Sequence, residues 1–276
     1  MLLIVLLSVI TQVLAVINIT SLPMSANLKP LEKGSTLVDH DRARIQGLFK
    51  RHEKRAKVKS VGLEEAGVFF TTSVGLGSPP TYYNLVVDTG SRFTWAGAGK
   101  DYVRTGTSIK QEGQTFNLGY GKGMAMGHVY KDTLTLSPSL SIDNMLIGEA
   151  LLSSLNGVDG VDGILGLGRA VVDHGVVTPS NGEFLPTIMG SLLVQKKIQR
   201  NLFGMSFSPI TARGVLNGKL SFGGVDHRKY KGKLNWLGVT NKEPLSSNWA
   251  YNQTIKYGKR VIQPSSIGLV DSGSSD

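Results

Sequence analysis

From residue 67 onward the chain alternates apolar and polar positions with a period of two. "GVFFTTSVGLGSPPTYYNLVVDTGS" (67–91) sets β-branched and aromatic residues beside polar ones, and Gly75, Gly77 and the pair Pro79-Pro80 break the run. This predicts strand, turn and strand, with Asp88 at the end of the second strand. "GQTFNLGYGKGMAMGHVYKDTLTL" (113–136) predicts a long β-hairpin around a glycine-rich tip at Gly119 to Gly123. "GVDGVDGILGLGR" (157–169) reads as a buried strand packed so closely that only glycine fits. One stretch changes period: "LPTIMGSLLVQKKI" (185–198) puts Ile188, Leu192, Val194 and Ile198 roughly on one side of a helix. "LFGMSFSP" (202–209) and "GKLSFGG" (218–224) then predict a pair of strands. "GKLNWLGVT" (232–240) and "SNWAYNQTIKYGKRVI" (247–262) continue the β pattern. The body is therefore expected to be all-β apart from one helix.

Composition bounds the class. With 276 residues, 41% hydrophobic and 18% charged, the chain is globular and holds one large domain or two modest ones. Its 34 glycines fit many tight turns. It has no cysteine, which excludes thiol nucleophiles, thiolate metal sites and disulfides. "MLLIVLLSVITQVLA" (1–15) resembles a secretory signal peptide, with a short anchor as the alternative. It is too short for a membrane span, which takes roughly 20 apolar residues. Asn18 in "NIT" and Asn252 in "NQT" are glycosylation acceptors by pattern.

The net charge of +10 invites a nucleic-acid reading, and its distribution weakens it. Residues 16–60 carry ten Lys/Arg against four Asp/Glu, and the rest of the excess is spread thinly. "DRARIQGLFKRHEKRAKVK" (41–59) can be a solvated basic helix, a removable pro-segment, or a nucleic-acid or membrane arm. No aromatic or glycine interleaving supports the last of these. Lys50-Arg51 and Lys54-Arg55 are dibasic pairs of the kind cut in a secretory pathway.

Several chemistries are absent. The glycines at 163–168 do not complete a dinucleotide fingerprint, no phosphate loop occurs, and no serine sits in a G-x-S-x-G elbow. The five histidines are scattered without ligand spacing, so no metal site is expected. What remains is a phrase written twice: "LVVDTGS" (85–91) and "GLVDSGS" (268–274). Each puts apolar residues before an Asp, then a hydroxyl residue, Gly and Ser. Hydrolysis of a peptide without metal or side-chain nucleophile needs a base to activate water and an acid to protonate the carbonyl oxygen. Two adjacent carboxyls can do both, because like charges in contact cannot both ionise and so share a proton. Glycine lets backbone N–H groups approach each carboxylate.

These residues give the chain its resemblance to the pepsin-like aspartic endopeptidases, in particular their secreted fungal branch. "SVGLGSPPTYYNLVVDTGSRFTWAGAGKDYV" (73–103) is similar to that group's first active-site stretch, and the likeness spans about residues 67–276. It implies a bilobal all-β fold, with Asp88 and Asp271 as the catalytic pair. It implies Thr89 and Ser272 as locks between the two loops, and Ser91 and Ser274 as hydroxyls supporting the carboxylates, beside Gly90 and Gly273. "GYGKG" falls at the family's mobile flap. Tyr120, Gly121, Lys122 and Gly123 would then close over substrate, with Trp95 bonded to Tyr120. By themselves, Trp95 reads equally as a core residue and Tyr120 as a turn aromatic. The resemblance further implies no cofactor, polypeptide substrates, action at acidic pH, a monomer, no stable membrane insertion, and export or delivery to a vacuole. The segments become signal peptide (1–15), pro-segment (16–60), a complete N-terminal lobe (61–235) and the start of a C-terminal lobe (236–276).

Two departures stand out. Lys122 replaces the flap's usual Ser or Thr, which suggests a bias against basic residues near the scissile bond. The second Asp phrase ends the sequence, so the C-terminal lobe is expected to be incomplete, with little activity and poor folding beyond about residue 235. The rivals are a non-catalytic peptide-binding homologue on the same scaffold and a half-length peptidase that pairs two copies of Asp88.

Overall fold

The computed structural model describes residues 20–28, 68–120, 123–155, 158, 160–170, 175–180, 182, 184–208, 216–242 and 245–273. Its strands are β1 (Thr20–Leu28), β2 (Val68–Leu76), β3 (Thr81–Asp88), β4 (Thr94–Ala96), β5 (Ile109–Tyr120), β6 (Gly123–Ser137), β7 (Leu140–Ser153), β8 (Gly163–Gly166), β9 (Val177–Thr178), β10 (Phe203–Phe207), β11 (Leu216–Phe222), β12 (Ala250–Tyr257) and β13 (Arg260–Leu269). Eleven of them form one sheet in the order β10-β11-β1-β2-β3-β8-β4-β7-β6-β5-β9, while among the described residues β12 and β13 pair only with each other. The all-β expectation holds.

The run at 68–88 folds as its pattern predicts. β2 and β3 are antiparallel, and Gly77, at φ 89°, takes the turn between them. β3 is then covered on both faces. Leu85 and Val87 join one apolar cluster with Leu22, Met24, Leu165 and Phe222, while Val86 joins another with Phe93, Trp95, Phe116 and Ile164. A strand buried on both sides reads as a continuous apolar run, which is why "LVV" does not alternate. β8 slots beside it in parallel, and β4 pairs antiparallel with the other edge of β8.

The helix α1 (Ile188–Val194) is shorter than its periodicity suggests. The Thr187 side chain caps it by accepting from the Gly190 N–H at 3.1 Å. Ile188, Met189 and Leu192 face the core, but Val194 is 81% exposed, because the helix ends there and Lys196 turns with φ 57°. Ile198 is buried from beyond the helix.

Three elements depart from the sequence reading. Residues 232–240 form no strand; they meet no neighbouring ladder, and Trp236 is 69% exposed. β7, a 14-residue strand, was not foreseen. Nor was β1, which lies inside the basic arm and contains Pro23. Proline argues against an interior strand because it cannot donate to a ladder. Here it is tolerated because β1 changes partner: residues 20–25 pair with β11 across a register shift at Met24/Ser25, and residues 25–28 pair with β2. On its open side the Pro23 carbonyl accepts from the Thr72 hydroxyl at 2.7 Å.

Candidate active site

Asp88 closes β3 opposite Gly166 of β8. The Leu167 N–H donates to the Asp88 carbonyl at 2.8 Å, and the Gly168 N–H to that of Ser91 at 2.7 Å. The chain leaving β8 is thus laced to the loop that carries Asp88. The approach requires glycine. A Cβ on Gly163 would lie 2.1 Å from the Trp95 carbonyl oxygen, and one on Gly166 would lie 2.7 Å from the Arg92 backbone.

Asp271 stands two residues beyond β13. Its loop and that of Asp88 are joined reciprocally. The Thr89 N–H donates to the Ser272 hydroxyl at 3.1 Å, and the Ser272 N–H to the Thr89 hydroxyl at 3.0 Å. Each hydroxyl donates onward, Thr89 to the Val270 carbonyl at 3.0 Å and Ser272 to the Val87 carbonyl at 2.7 Å. A hydroxyl can accept one bond and donate another, so both groups are satisfied at this crossing, where Thr89 is buried and Ser272 half-buried.

This crossing sets each carboxyl against the opposite loop. A Cβ on Gly90 would lie 2.6 Å from the Asp271 carboxyl, and one on Gly273 would lie 2.4 Å from that of Asp88. Within its own loop, Asp88 Oδ1 accepts from the Gly90 N–H at 2.7 Å and the Ser91 N–H at 3.3 Å. Asp271 Oδ1 accepts from the Gly273 N–H at 2.9 Å.

Burial holds the Asp88 carboxyl above the usual aspartate range, and the neighbouring Asp271 pushes in the same direction. Ser91 and the Gly90 N–H oppose the shift without cancelling it. The Ser91 hydroxyl lies near enough to favour the charged form, yet it has no hydrogen-bond partner of normal geometry among the described residues. Of the Ser91 contacts to Asp88, the backbone N–H is the one with hydrogen-bond geometry.

Trp95 is fully buried, and its indole N–H donates to the Tyr120 hydroxyl at 2.7 Å. Burial raises the Tyr120 phenol above its ordinary range; the Trp95 bond lowers it, and the Asp88 charge raises it. Tyr120 is therefore a neutral donor near Asp88, at the foot of the β5–β6 turn. Gly123 opens β6 where a Cβ would fall 1.9 Å from the Ser154 hydroxyl. Gly121, Lys122, Ser274 and Asn18 lie outside the described residues. Asn252 is exposed on β12. No group of three or more His, Asp or Glu side chains placed to hold a metal ion occurs among the described residues.

Three contacts were not foreseen. The Trp249 indole donates to the Leu167 carbonyl at 2.9 Å, Asn248 Nδ2 reaches the Gly90 carbonyl at 3.4 Å, and the Arg169 guanidinium binds the Thr240 and Ser246 carbonyls at 3.0 and 2.7 Å. Nothing in "SNWAYNQT" or "GLGRA" signals them, because the partners are 71 to 158 residues apart.

Residues 69–276 match the family model described as eukaryotic aspartyl protease, and the chain belongs to that family. It is 42% identical to polyporopepsin from Irpex lacteus over 209 residues, a match covering 75% of this chain and 60% of that protein. Cathepsin D from Chionodraco hamatus is 30% identical, over 61% of this chain and 44% of its own. The crystal structure of the aspartic proteinase from Irpex lacteus superposes with a TM-score of 0.69 at 41% identity, covering 75% of this chain and 60% of that one. The chain thus spans about 60% of the length of the fungal relative it matches.

Proposed function

We propose that the chain carries the paired carboxyls of an aspartic endopeptidase, which hydrolyses peptide bonds of polypeptides at acidic pH. The observation that carries this reading is the reciprocal seating of each carboxyl on the other loop's glycine, Asp88 on Gly273 and Asp271 on Gly90. With one proton shared between them, the ionised carboxyl takes a proton from a water molecule. The oxygen adds to the peptide carbonyl carbon, and the protonated carboxyl gives its proton to the carbonyl oxygen. A proton then moves to the amide nitrogen, the C–N bond breaks, and an acid and an amine leave. Acidic pH suits this state because a singly protonated pair persists only while the raised Asp88 carboxyl is not fully ionised. Thr89 and Ser272 fix the loops, and Tyr120, held by Trp95, would close over the pair. An extended substrate would lie as a strand beneath the β5–β6 hairpin, bonded through its backbone. The reading needs no cofactor, and because one chain supplies both carboxyls, a monomer suffices.

The same reading makes the protein a zymogen, exported or sent to a vacuole. β1 falls within the proposed pro-segment, and Leu22 and Met24 of β1 fill the core. Its removal would open a strand-wide slot between β11 and β2 that another stretch must fill. Asp88→Asn in the full-length protein tests the activity. Cleavage of a denatured protein at acidic pH, blocked by pepstatin, should fall about 100-fold or more, the range for loss of a general acid or base. A variant that cleaves at the unvaried rate sinks the proposal, and one that binds peptide unchanged without any cleavage in either form supports a binding protein instead.

A further inference from the structure

The two aspartate loops are joined by a second route, behind the crossing of Thr89 and Ser272. The Asp88 carbonyl accepts from the Leu167 N–H at 2.8 Å. The Leu167 carbonyl accepts from the Trp249 indole at 2.9 Å. The Trp249 carbonyl accepts from the N–H of Val270 at 3.0 Å, and Asp271 is the next residue. Three hydrogen bonds thus lead from one aspartate to the neighbour of the other. The first link has no slack, since a Cβ on Gly168 would meet the Ser91 carbonyl at 2.8 Å and one on Gly166 the Phe93 N at 2.8 Å. The backbone at 166–168 lies flat against 91–93.

Trp249 is held in this path by its ring, packed edge-on against Phe203 with centroids 5.6 Å apart, and by the segment before it, which has no ladder of its own. Residues 231–242 form no strand or helix. They are held by the Thr240 N–H to the Ala250 carbonyl at 2.7 Å and by one cation. Arg169, two residues beyond Leu167, places Nη1 on the carbonyls of Thr240 at 3.0 Å and Ser246 at 2.7 Å, and Nη2 on Asn241 Oδ1 at 3.2 Å. A guanidinium can span such a set because its five donors are fixed in one plane; an ammonium presents a single point charge.

We infer that Arg169 is a positioning residue: it ties Thr240, Asn241 and Ser246 to the strand end behind Asp88, and with Trp249 it sets the spacing of Asp88 and Asp271 independently of the Thr89–Ser272 crossing. The inference rests on the peptidase reading for its consequence in catalysis, but not for its structural content.

The test uses the full-length protein with Arg169→Ala and Arg169→Lys, and Asp88→Asn as a control. Two readouts are taken: amide hydrogen exchange at Val270, Ser272 and Thr89, and peptide cleavage across pH. Arg169→Ala should speed exchange at these three amides while leaving β6 and β7 unchanged. It should lower kcat about tenfold, with KM little changed, since misplacement of reacting groups by an ångström costs up to about a hundredfold. The bell-shaped pH–rate profile should narrow, because carboxyls held farther apart split their titrations less. Arg169→Lys should fall between, and it decides the matter if Arg169→Ala does not fold. A lowered melting temperature with unchanged exchange, kcat and pH profile overturns the inference, as does Arg169→Lys behaving as the unvaried protein in both readouts. If Asp88→Asn cleaves normally, or no form cleaves, the peptidase reading fails, and the exchange rates still decide the role of Arg169.

Discussion

Asp88 and Asp271 end near-identical phrases but stand on different ground. β3 has a neighbour on each side and apolar clusters over both faces. Among the described residues β13 has one neighbour, and Val261, Ile262, Ile267, Leu269 and Val270 around it are between 41% and 62% exposed. The loops themselves match. Each carboxyl accepts from the glycine N–H two residues on, at 2.7 Å in the first loop and 2.9 Å in the second. A short phrase therefore sets the local shape of a loop, while its place in space depends on what lies behind it. Asp88 is placed by its own sheet. Among the described residues, the contacts that place Asp271 are those with the loop of Asp88 and the Trp249–Val270 bond.

The largest expected effect of this asymmetry lies behind Asp88. Leu85→Ala, at a fully buried position on β3, should destabilise the protein by about 2–5 kcal/mol, as large-to-small core changes do. Denaturant melts read it directly. A loss under about 1 kcal/mol would mean that β3 is less firmly packed than its burial indicates.

The contrast also separates what could be read in advance from what could not. β3 and its aspartate were legible because a continuous apolar run ending in Asp-Thr-Gly-Ser leaves few alternatives. β8 was legible because five glycines in thirteen residues make sense only where backbones touch. β1 was hidden by Pro23, whose cost disappears only once the change of partner at the register shift is known. The stretch at 232–240 misled because its alternation looks like a strand, and alternation cannot say whether a partner edge is available. Arg169 and Trp249 carry no local signature at all. Their partners are 71 and 82 residues distant, and only the folded chain brings them together.

The crossing itself comes next in size. Thr89→Val keeps the shape of a buried side chain but removes its hydroxyl, leaving the Ser272 N–H and the Val270 carbonyl without their partner. An unsatisfied buried polar group costs about 1–3 kcal/mol. The effect should be uneven: Ser272 and Gly273 amides should exchange faster, while those of β3 stay protected. Unchanged exchange at Ser272 and Gly273 would show that Asp271 has support of its own, and loosening of both loops would show that the Asp88 loop leans on the crossing as well.

Protonation sharpens the comparison further. Burial and the adjacent Asp271 raise the Asp88 carboxyl, so the folded state binds its proton more tightly than the unfolded state does. The sign follows from linkage. The stabilising contribution is fully present below the unfolded value near 3.9 and is lost as pH rises through the raised folded value. Asp88→Asn cannot ionise, so its stability should decline less from mildly acid to neutral pH, and at neutral pH it should exceed that of the unvaried protein. Melting temperatures across this range decide it, and parallel curves for the two proteins would mean that Asp88 is not charged at a cost.

The smallest effect belongs to the far side of the comparison. Ile262 lies on β13, 62% exposed, in the two-stranded sheet that ends at Asp271. Ile262→Thr keeps a β-branched residue suited to a strand and gives up little buried area, so stability should change by no more than about 0.5 kcal/mol. The same substitution tests how the hairpin stands in the full-length protein. If Ile262→Thr there costs as much as a core change, the face of β12–β13 is covered by further chain, and Asp271 rests on packed ground as Asp88 does. If the cost stays small, the second aspartate relies on the first loop, on Trp249 and on Arg169 for its place.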